Sequence, residues 1–561
     1  MVRSLRFASL ALPFLAACHP AGASSAAEPG PQEAADPGSG PALSVAFLRS
    51  FTESFSRDEL GGRLPGSEGA AQAVGELVAA MEAIGLEPAG DGGGWTQAVS
   101  LRGVSLDRAA SRLEIVSAGG AAGAFAFAQD WVGTSFAAGT ARSLDAELVF
   151  VGYGVSAPEY DWDDYAGVDV RGKVVLAFVG DPPTEDGRFG GPAMTYYGRW
   201  TYKFERALEA GAAGCLVIHE DAPASYGWNV PTTSYSGERF HVLDGEGQPP
   251  PALDLRGWIS AGATDALAKA QGASLEQWHA QAMAPEFAAA PLGVRLRGEL
   301  RTSERQIADV NVLGRLPGSD PEHADEAVFV TAHWDHMGTD ADKLAAGEDG
   351  IYNGAVDNAS GIAGMLGVAA QLRADQLAGE ALPRSAVFLA TTAEEQGLLG
   401  SRYFVANPTL PLDDVVAVIN IDSMNVFGQT RAVEIVGWGQ TTLEERVVAL
   451  AGEQGRAVIP DRHPASGGFY RSDHFPFALA GVPALYFHSS LDMVEGGTAA
   501  GDALGAGMRE RYHTPADEFD PTWSFEGALQ DAQLVVALIR QLGQPDATPR
   551  YKPESEFAGK R

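Results

Sequence analysis

Apolar positions along this chain fall into three rhythms. In SEGAAQAVGELVAAMEAIGLEP, Val74, Leu77, Val78, Met81 and Ile84 recur at intervals of one and three. That spacing predicts an amphipathic helix, stopped by Gly85 and followed by Pro88. From about 140 to 295 the rhythm is strand-like. AELVFVGYGV and GKVVLAFVGDPP are β-branched runs closed by Gly and Pro, and YKFERALEAGAAGCLVIHE reads as a helix and then a strand. The order strand–strand–helix–strand predicts a compact insert with its own core. From about 296 onward four nearly continuous apolar strands, AVFVTAHWDH, SAVFLATTAEE, VVAVINIDSM and VPALYFHSS, share the chain with the helices GIAGMLGVAAQLRADQ and EGALQDAQLVVALIRQLG. This pattern predicts an α/β fold with a mixed, largely parallel sheet flanked by helices on both faces. LPGS occurs at 64–67 and 316–319 with different flanks and reads as two turns. The segment after Pro545 is polar and is expected to fray.

At 561 residues the chain is too long for one core, and two or three domains are expected. Residues 1–17 open with Arg3 and Arg6, run apolar from Phe7, and end in Ala16 and Ala17 before Cys18. That is a secretory signal peptide, too short for a stable membrane span. LAAC resembles a bacterial lipobox, which implies cleavage before Cys18 and lipid attachment to its thiol. An ordinary signal peptide cut nearby is the alternative. His19 follows, where an inner-membrane retention signal would have aspartate, so an exported periplasmic or cell-envelope protein, an outer-membrane lipoprotein, is expected. Residues 18–42, rich in Pro, Gly, Ala and Ser, read as a flexible tether. The formal net charge of −34 repels nucleic acid and anionic lipid, so no nucleic-acid partner is expected and the membrane is met only through the anchor. Cys18 and Cys215 are the only cysteines; with Cys18 lipidated, Cys215 has no disulfide partner. Any metal must therefore use His, Asp and Glu.

Ligand-type residues collect at strand ends. His333 and Asp335 follow the first strand, Glu394 and Glu395 the second, Asp422 the third; His513 lies downstream of the fourth, in RYHTPADEF. Open α/β sheets bind ligands at the carboxyl ends of their strands. Asp357 sits in NGAVDNASGIAGM, just before an apolar helix. Singly, each has an ordinary structural reading: Asp357 as a turn former with Ser360 as an N-cap, Glu394 and Glu395 as helix-dipole partners, His333 as a core histidine. Together they do not, because carboxylates gathered at one buried edge without cations are prohibitively costly. Two His and three carboxylates suit a pair of divalent ions.

The ordered set TAHWDH, GAVDNASG, TTAEEQGLLGS, INIDSM and RYHTPADEF resembles the co-catalytic zinc aminopeptidases of peptidase family M28 over roughly residues 43–135 and 296–545. Residues 140–295 resemble the protease-associated (PA) domain that many members insert, carried by GKVVLAFVGDPP and GAAGCLVIHE. The implied organisation is an N-terminal part of the peptidase domain at 43–139, the PA insert at 140–295, the catalytic domain at 296–545 and a tail at 546–561. The resemblance implies two Zn2+ per chain, with Asp357 bridging, His333 and Asp422 completing one site, and Glu395 and His513 the other. It makes Glu394 the general base, gives Asp335 a supporting role behind the His333 ring, and makes the Asp357–Asn358 peptide cis. Asp517 reads either as orienting His513 or as a helix cap, and His336 as a loop residue. GFYRSDHFPFALAGVPAL resembles the segment lining the substrate pocket, with Tyr470 near the oxyanion and Arg471 near a substrate carboxylate. The implied activity is a metal-dependent exopeptidase, an aminopeptidase hydrolysing N-terminal residues of peptides through a zinc-activated water. A glutamate-type carboxypeptidase, a single-zinc glutaminyl cyclase-like transferase and a non-catalytic receptor on a peptidase scaffold are the alternatives. Retention of both His333 and Asp422 argues against a single zinc, and Glu394 with the full ligand set against a receptor. Side-chain preference and oligomeric state stay open.

Overall fold

The computed structural model describes residues 42–561 apart from 118, 119, 121, 185, 186, 245, 246 and 285. The expected signal peptide, all but the last residue of the tether, and the lipid-attachment residue Cys18 lie outside the described residues. Among those described, no helix is long and apolar enough to cross a membrane.

Six strands position the site: β1 (Thr96–Leu106), β2 (Ala290–Leu316), β3 (Ala327–His333), β4 (Ser385–Thr391), β5 (Val415–Asn420) and β6 (Ala484–Ser489). Their order in the sheet is β1–β2–β4–β3–β5–β6. β3 runs parallel to β4 and β5, and β5 parallel to β6, while β2 is antiparallel to β4 and β1. This is the expected mixed α/β fold. β3 and β4 are buried at every position, which explains their unbroken apolar sequence.

Alternate residues serve two cores. Val328 and Val330 of β3 join one cluster with α1 (Val45–Phe55), α2 (Glu68–Ile84), α3 (Gly361–Leu377) and α4 (Glu526–Leu542). Phe329 points the other way, to Phe404, Phe475 and Phe477. α2 matches its prediction: the Ser67 hydroxyl accepts from the Ala70 N–H, and Gly85 ends the helix at φ 87°. α3 is buried at every position from Gly361 to Ala370. Its glycines permit this, since a Cβ on Gly364 would stand 2.2 Å from Met424 Sδ and one on Gly367 2.8 Å from Leu43 Cδ1. A helical stretch apolar all round, as Gly361–Ala370 is, belongs inside; the polar residues of α3 fall after it.

β2 is the spine of the molecule. Its 27 residues serve two sheets in turn. Thr302–Val312 pair with β1, whereas Arg295–Arg301 pair with Ala141–Glu147 and Glu299–Val294 with Arg112–Ser117. The second sheet continues through Val174–Phe178, Gly214–His219, Leu255–Ser260 and Trp131–Thr134. It thus takes strands from 112–134 as well as from 140–295, while Arg239–Val242 leaves it to pair with β1. Short antiparallel strands carry no sequence mark of the sheet they will join; register along β2 decides it.

The expectation of a frayed tail is corrected. Phe557 is fully buried beside Phe469 and Phe475, Tyr551 donates to the Val482 carbonyl at 2.8 Å, and Lys552 pairs with Glu444 at 2.7 Å. Two aromatic anchors in a polar stretch outweigh its average polarity. Phe557→Ala is expected to destabilise the chain by about 3–5 kcal/mol. A urea midpoint unchanged from the native chain would show the tail to be loose.

Candidate metal centre

Each strand end turns sharply into a ligand-type residue. β3 ends at His333 itself, β5 is followed within two residues by Asp422, and β4 leads through Ala393 (φ 53°) into a short turn carrying Glu394 and Glu395. Asp357 lies immediately before α3, and its peptide bond to Asn358 is cis, as the resemblance implies. His513 (φ 57°) follows the helix Gly497–Arg511.

The five converge. His333 Nε2 stands 3.2 Å from Asp357 Oδ1 and 3.4 Å from Asp422 Oδ1. His513 Nε2 stands 3.3 Å from Asp357 Oδ2 and 3.1 Å from Glu395 Oε2. Asp357 therefore gives one oxygen to each imidazole. Side-chain exposure runs from 1% at His333 to 18% at Asp422 and 24% at His513, so the cluster is closed at β3 and open on the other side.

An unmet bond tests the fit to metal. His513 Nε2 is buried and makes no well-formed hydrogen bond, although two carboxylate oxygens stand beside it. Three trios, His333/Asp357/Asp422, His336/Asp357/Glu395 and His333/Glu394/Glu395, bring their ligand atoms within 4.8 Å of one another. An oxygen- and imidazole-rich set of this kind fits divalent zinc.

Surrounding groups hold the ligands in place. Asp517 accepts from the amides of Val356 (3.1 Å) and Asp357 (3.0 Å), so it fixes the Asp357 turn rather than the His513 ring. The Asn358 side chain donates to the Ile421 carbonyl and accepts from the Ser423 N–H, tying that turn to Asp422. Ser360 is no cap: its hydroxyl donates to the Val356 carbonyl and accepts from the Met424 N–H. His333 Nδ1 donates to the Asp335 carbonyl oxygen at 3.2 Å, which leaves Nε2 facing the carboxylates. The Asp335 carboxylate is farther, at 3.8 Å; its Oδ1 instead accepts from the Glu394 N–H at 3.0 Å and so positions the Glu394 turn.

Two participants escaped the sequence reading. His336 is buried, with Nδ1 2.6 Å from Glu395 Oε1 and its ring 5.8 Å from that of His513. Its signal was its place three residues after His333. Arg63 is wholly buried and donates to the carbonyls of Trp334, Phe55, Asn353 and Gly354, joining the end of β3 to the turn before Asp357. Burial lowers its pKa to about 10, against the pull of Asp335, Asp517 and Asp357, so it stays charged at neutral pH. Tyr470 and Arg471, in contrast, are not brought to the cluster. The Tyr470 hydroxyl donates to Glu556, and Arg471 donates to the Ala224 and Ser466 carbonyls and the Ser225 hydroxyl.

Without metal the cluster holds protons. Burial works against charge on both imidazoles, yet Glu394, Asp357 and Asp422 raise His333 well above 6.5, and Glu395 and Asp357 raise His513 to about 10. Burial, reinforced by Asp422, Glu395 and Asp473 and opposed by His333, raises Glu394 well above the usual carboxylate range. A raised imidazole pKa stabilises the metal-free fold fully below about 6.5 and loses that contribution as pH rises through about 10. Metal must displace these protons, so zinc affinity is expected to rise from pH 6 to pH 8 with release of at least one proton per chain. Calorimetry in buffers of different ionisation enthalpy measures this; a binding heat independent of buffer would contradict it.

Residues 311–537 match the model of Peptidase family M28. No curated protein matches the chain. Among solved structures, an aminopeptidase from Aneurinibacillus sp. strain AM-1 is similar with a TM-score of 0.52 at 17% identity, over 90% of this chain and 95% of its own, and shares the fold. A zinc aminopeptidase from Bacillus subtilis has a TM-score of 0.44 at 18% identity, over 90% and 96%. A Peptidase M28 precursor from Shewanella amazonensis SB2B has 0.42 at 19%, over 91% and 99%. The stretch that matches Peptidase family M28, residues 311–537, holds every ligand-type residue of the cluster.

Proposed function

We propose that this chain is a dinuclear zinc aminopeptidase that releases N-terminal residues from peptides. The observation that carries the reading is the division of Asp357: Oδ1 lies beside His333 and Oδ2 beside His513, with Asp422 and Glu395 as the respective outer carboxylates. His333, Asp357 and Asp422 would hold one ion, and Asp357, Glu395 and His513 the other, with His336 behind Glu395. When bound, the ions would supply polarisation of a scissile carbonyl and a lowered pKa for water.

The residues divide the remaining work. Glu394, freed of its proton by the added positive charge, takes a proton from the attacking water onto its carboxylate and passes it to the leaving amine. The Asp335–Glu394 amide contact keeps that carboxylate turned to the cluster. The open side at Asp422 and His513 admits substrate. A carboxylate-rich entrance attracts the ammonium of a free N-terminus and repels a C-terminal carboxylate, which favours the aminopeptidase over the carboxypeptidase direction. The Aneurinibacillus aminopeptidase, alike in fold, supports the same reading. We read the second sheet as a PA domain built from residues 140–295 together with the strands at 112–134, and the N-terminus as the export signal and lipid anchor of a cell-envelope enzyme.

Glu394→Gln is expected to lower kcat by about 10^2- to 10^4-fold while elemental analysis still finds two zinc ions per chain. Full turnover in that variant would remove Glu394 from the reaction. On a substrate panel, aminoacyl-anilides should be cleaved and N-acetylated counterparts spared, with activity lost to chelator and restored by zinc. Cleavage of the blocked substrates alone would overturn the aminopeptidase reading.

A further inference from the structure

With 39 Lys and Arg against 73 Asp and Glu, most buried cations here should have found an acid. Arg199 has not. It is 8% exposed, its Nε is buried with no hydrogen-bond partner, and no carboxylate pairs with it among the described residues. Its ring contact is with the neighbouring Trp200, at 5.9 Å. After burial itself, the strongest influence on Arg199 is another positive charge, Arg471; together they push its pKa down to about 9.

The two guanidinium groups meet one turn. A Cβ on Gly467 would stand 2.5 Å from Met194 Sδ and 3.4 Å from Arg199 Cδ, so the stem of Arg199 packs beside this turn. Arg471 Nη2 donates to the Ser466 carbonyl at 2.6 Å and to the Ser225 hydroxyl at 2.6 Å. These acceptors are neutral and leave its charge uncompensated; its Nε is also buried without a partner. The Arg471 guanidinium lies over the ring of Tyr226 at 5.5 Å. Two like charges at one turn, Arg199 buried and Arg471 half-buried, with neutral acceptors and an aromatic wall, repel each other unless an anion joins them. Their planar forks match a carboxylate, and the ring beside them suits a ligand with a carbon skeleton over inorganic phosphate.

We propose that Arg199 and Arg471, with Tyr226, form a binding site for a carboxylate-bearing ligand where residues 199 and 225–226 meet the 466–471 segment. The site is built from residues that do not touch the His333–Asp357–His513 cluster, and it does not depend on the peptidase reading.

Titration calorimetry of succinate into the zinc-loaded full chain tests it, alongside Arg199→Met and Arg471→Met. Saturable binding to the native chain, weakened at least tenfold in both variants, is expected. Succinate should raise the melting temperature of the native chain alone, and without succinate Arg199→Met should melt no lower than native, because it sheds an unpaired buried charge. Arg199→Lys, which keeps the charge and loses the fork, should also bind at least tenfold more weakly, and serves if a methionine variant fails to fold. Acetyl-Ala-Glu as a second probe separates sources: tighter binding than succinate assigns the site to acidic peptides, weaker binding to free organic acids. Equal succinate affinity in all forms would mean carboxylate held at the zinc ions only, and overturns the proposal. So does absence of binding to the native chain, or tighter binding of inorganic phosphate than of succinate.

Discussion

The constraint on which this structure turns is the burial of Asp357, Glu394, Glu395 and Asp422 at one sheet edge. Like charges so close, and so far from water, cannot persist without positive charge among them. The chain supplies some of it as imidazole and as Arg63. Asp357, offering one oxygen to His333 and the other to His513, is where the two halves of the arrangement join.

The scaffold answers that constraint with rigid backbone. Parallel β3, β4 and β5 end at one edge, so His333, Glu394 and Asp422 come together by topology. α3 packs closely enough, through its glycines, to bring the Asp357 turn onto the same edge. Arg63 then ties β3 to that turn through carbonyl groups alone, and Asp517 secures the turn through its amides. Bonds to backbone restrict movement more than bonds between long side chains would, and a metal centre requires ligands placed to within about half an ångström.

The second sheet belongs to the same plan because β2 is a member of both. A single strand crossing from one sheet to the other leaves little slack where Arg199 and Tyr226 meet the 466–471 segment. Arg471 is engaged in that meeting, and is thereby withdrawn from the pocket role its motif suggests.

What the sequence determined by itself is what depends on local pattern. The unbroken apolar runs of β3, β4 and β5, the apolar first ten residues of α3, the capped α2 and the ligand-type residues at strand ends follow from spacing and side-chain chemistry, and His333, Asp357, Glu394, Glu395, Asp422 and His513 were legible on those grounds together with the family resemblance. Tertiary structure alone decided whatever rests on distant partners. Arg63 lies 270 residues before Asp335's neighbour His333, and nothing local marks it as part of the site. His336 depended on which way the chain turned after β3, Asp335 on whether its carboxylate or its carbonyl met the histidine, and Tyr470 on a tail that packs instead of fraying. Strand membership between 112 and 134 was settled by register along β2. Periodicity encodes which face of an element is buried; it does not encode against what, because that is fixed only when all the surfaces compete at once.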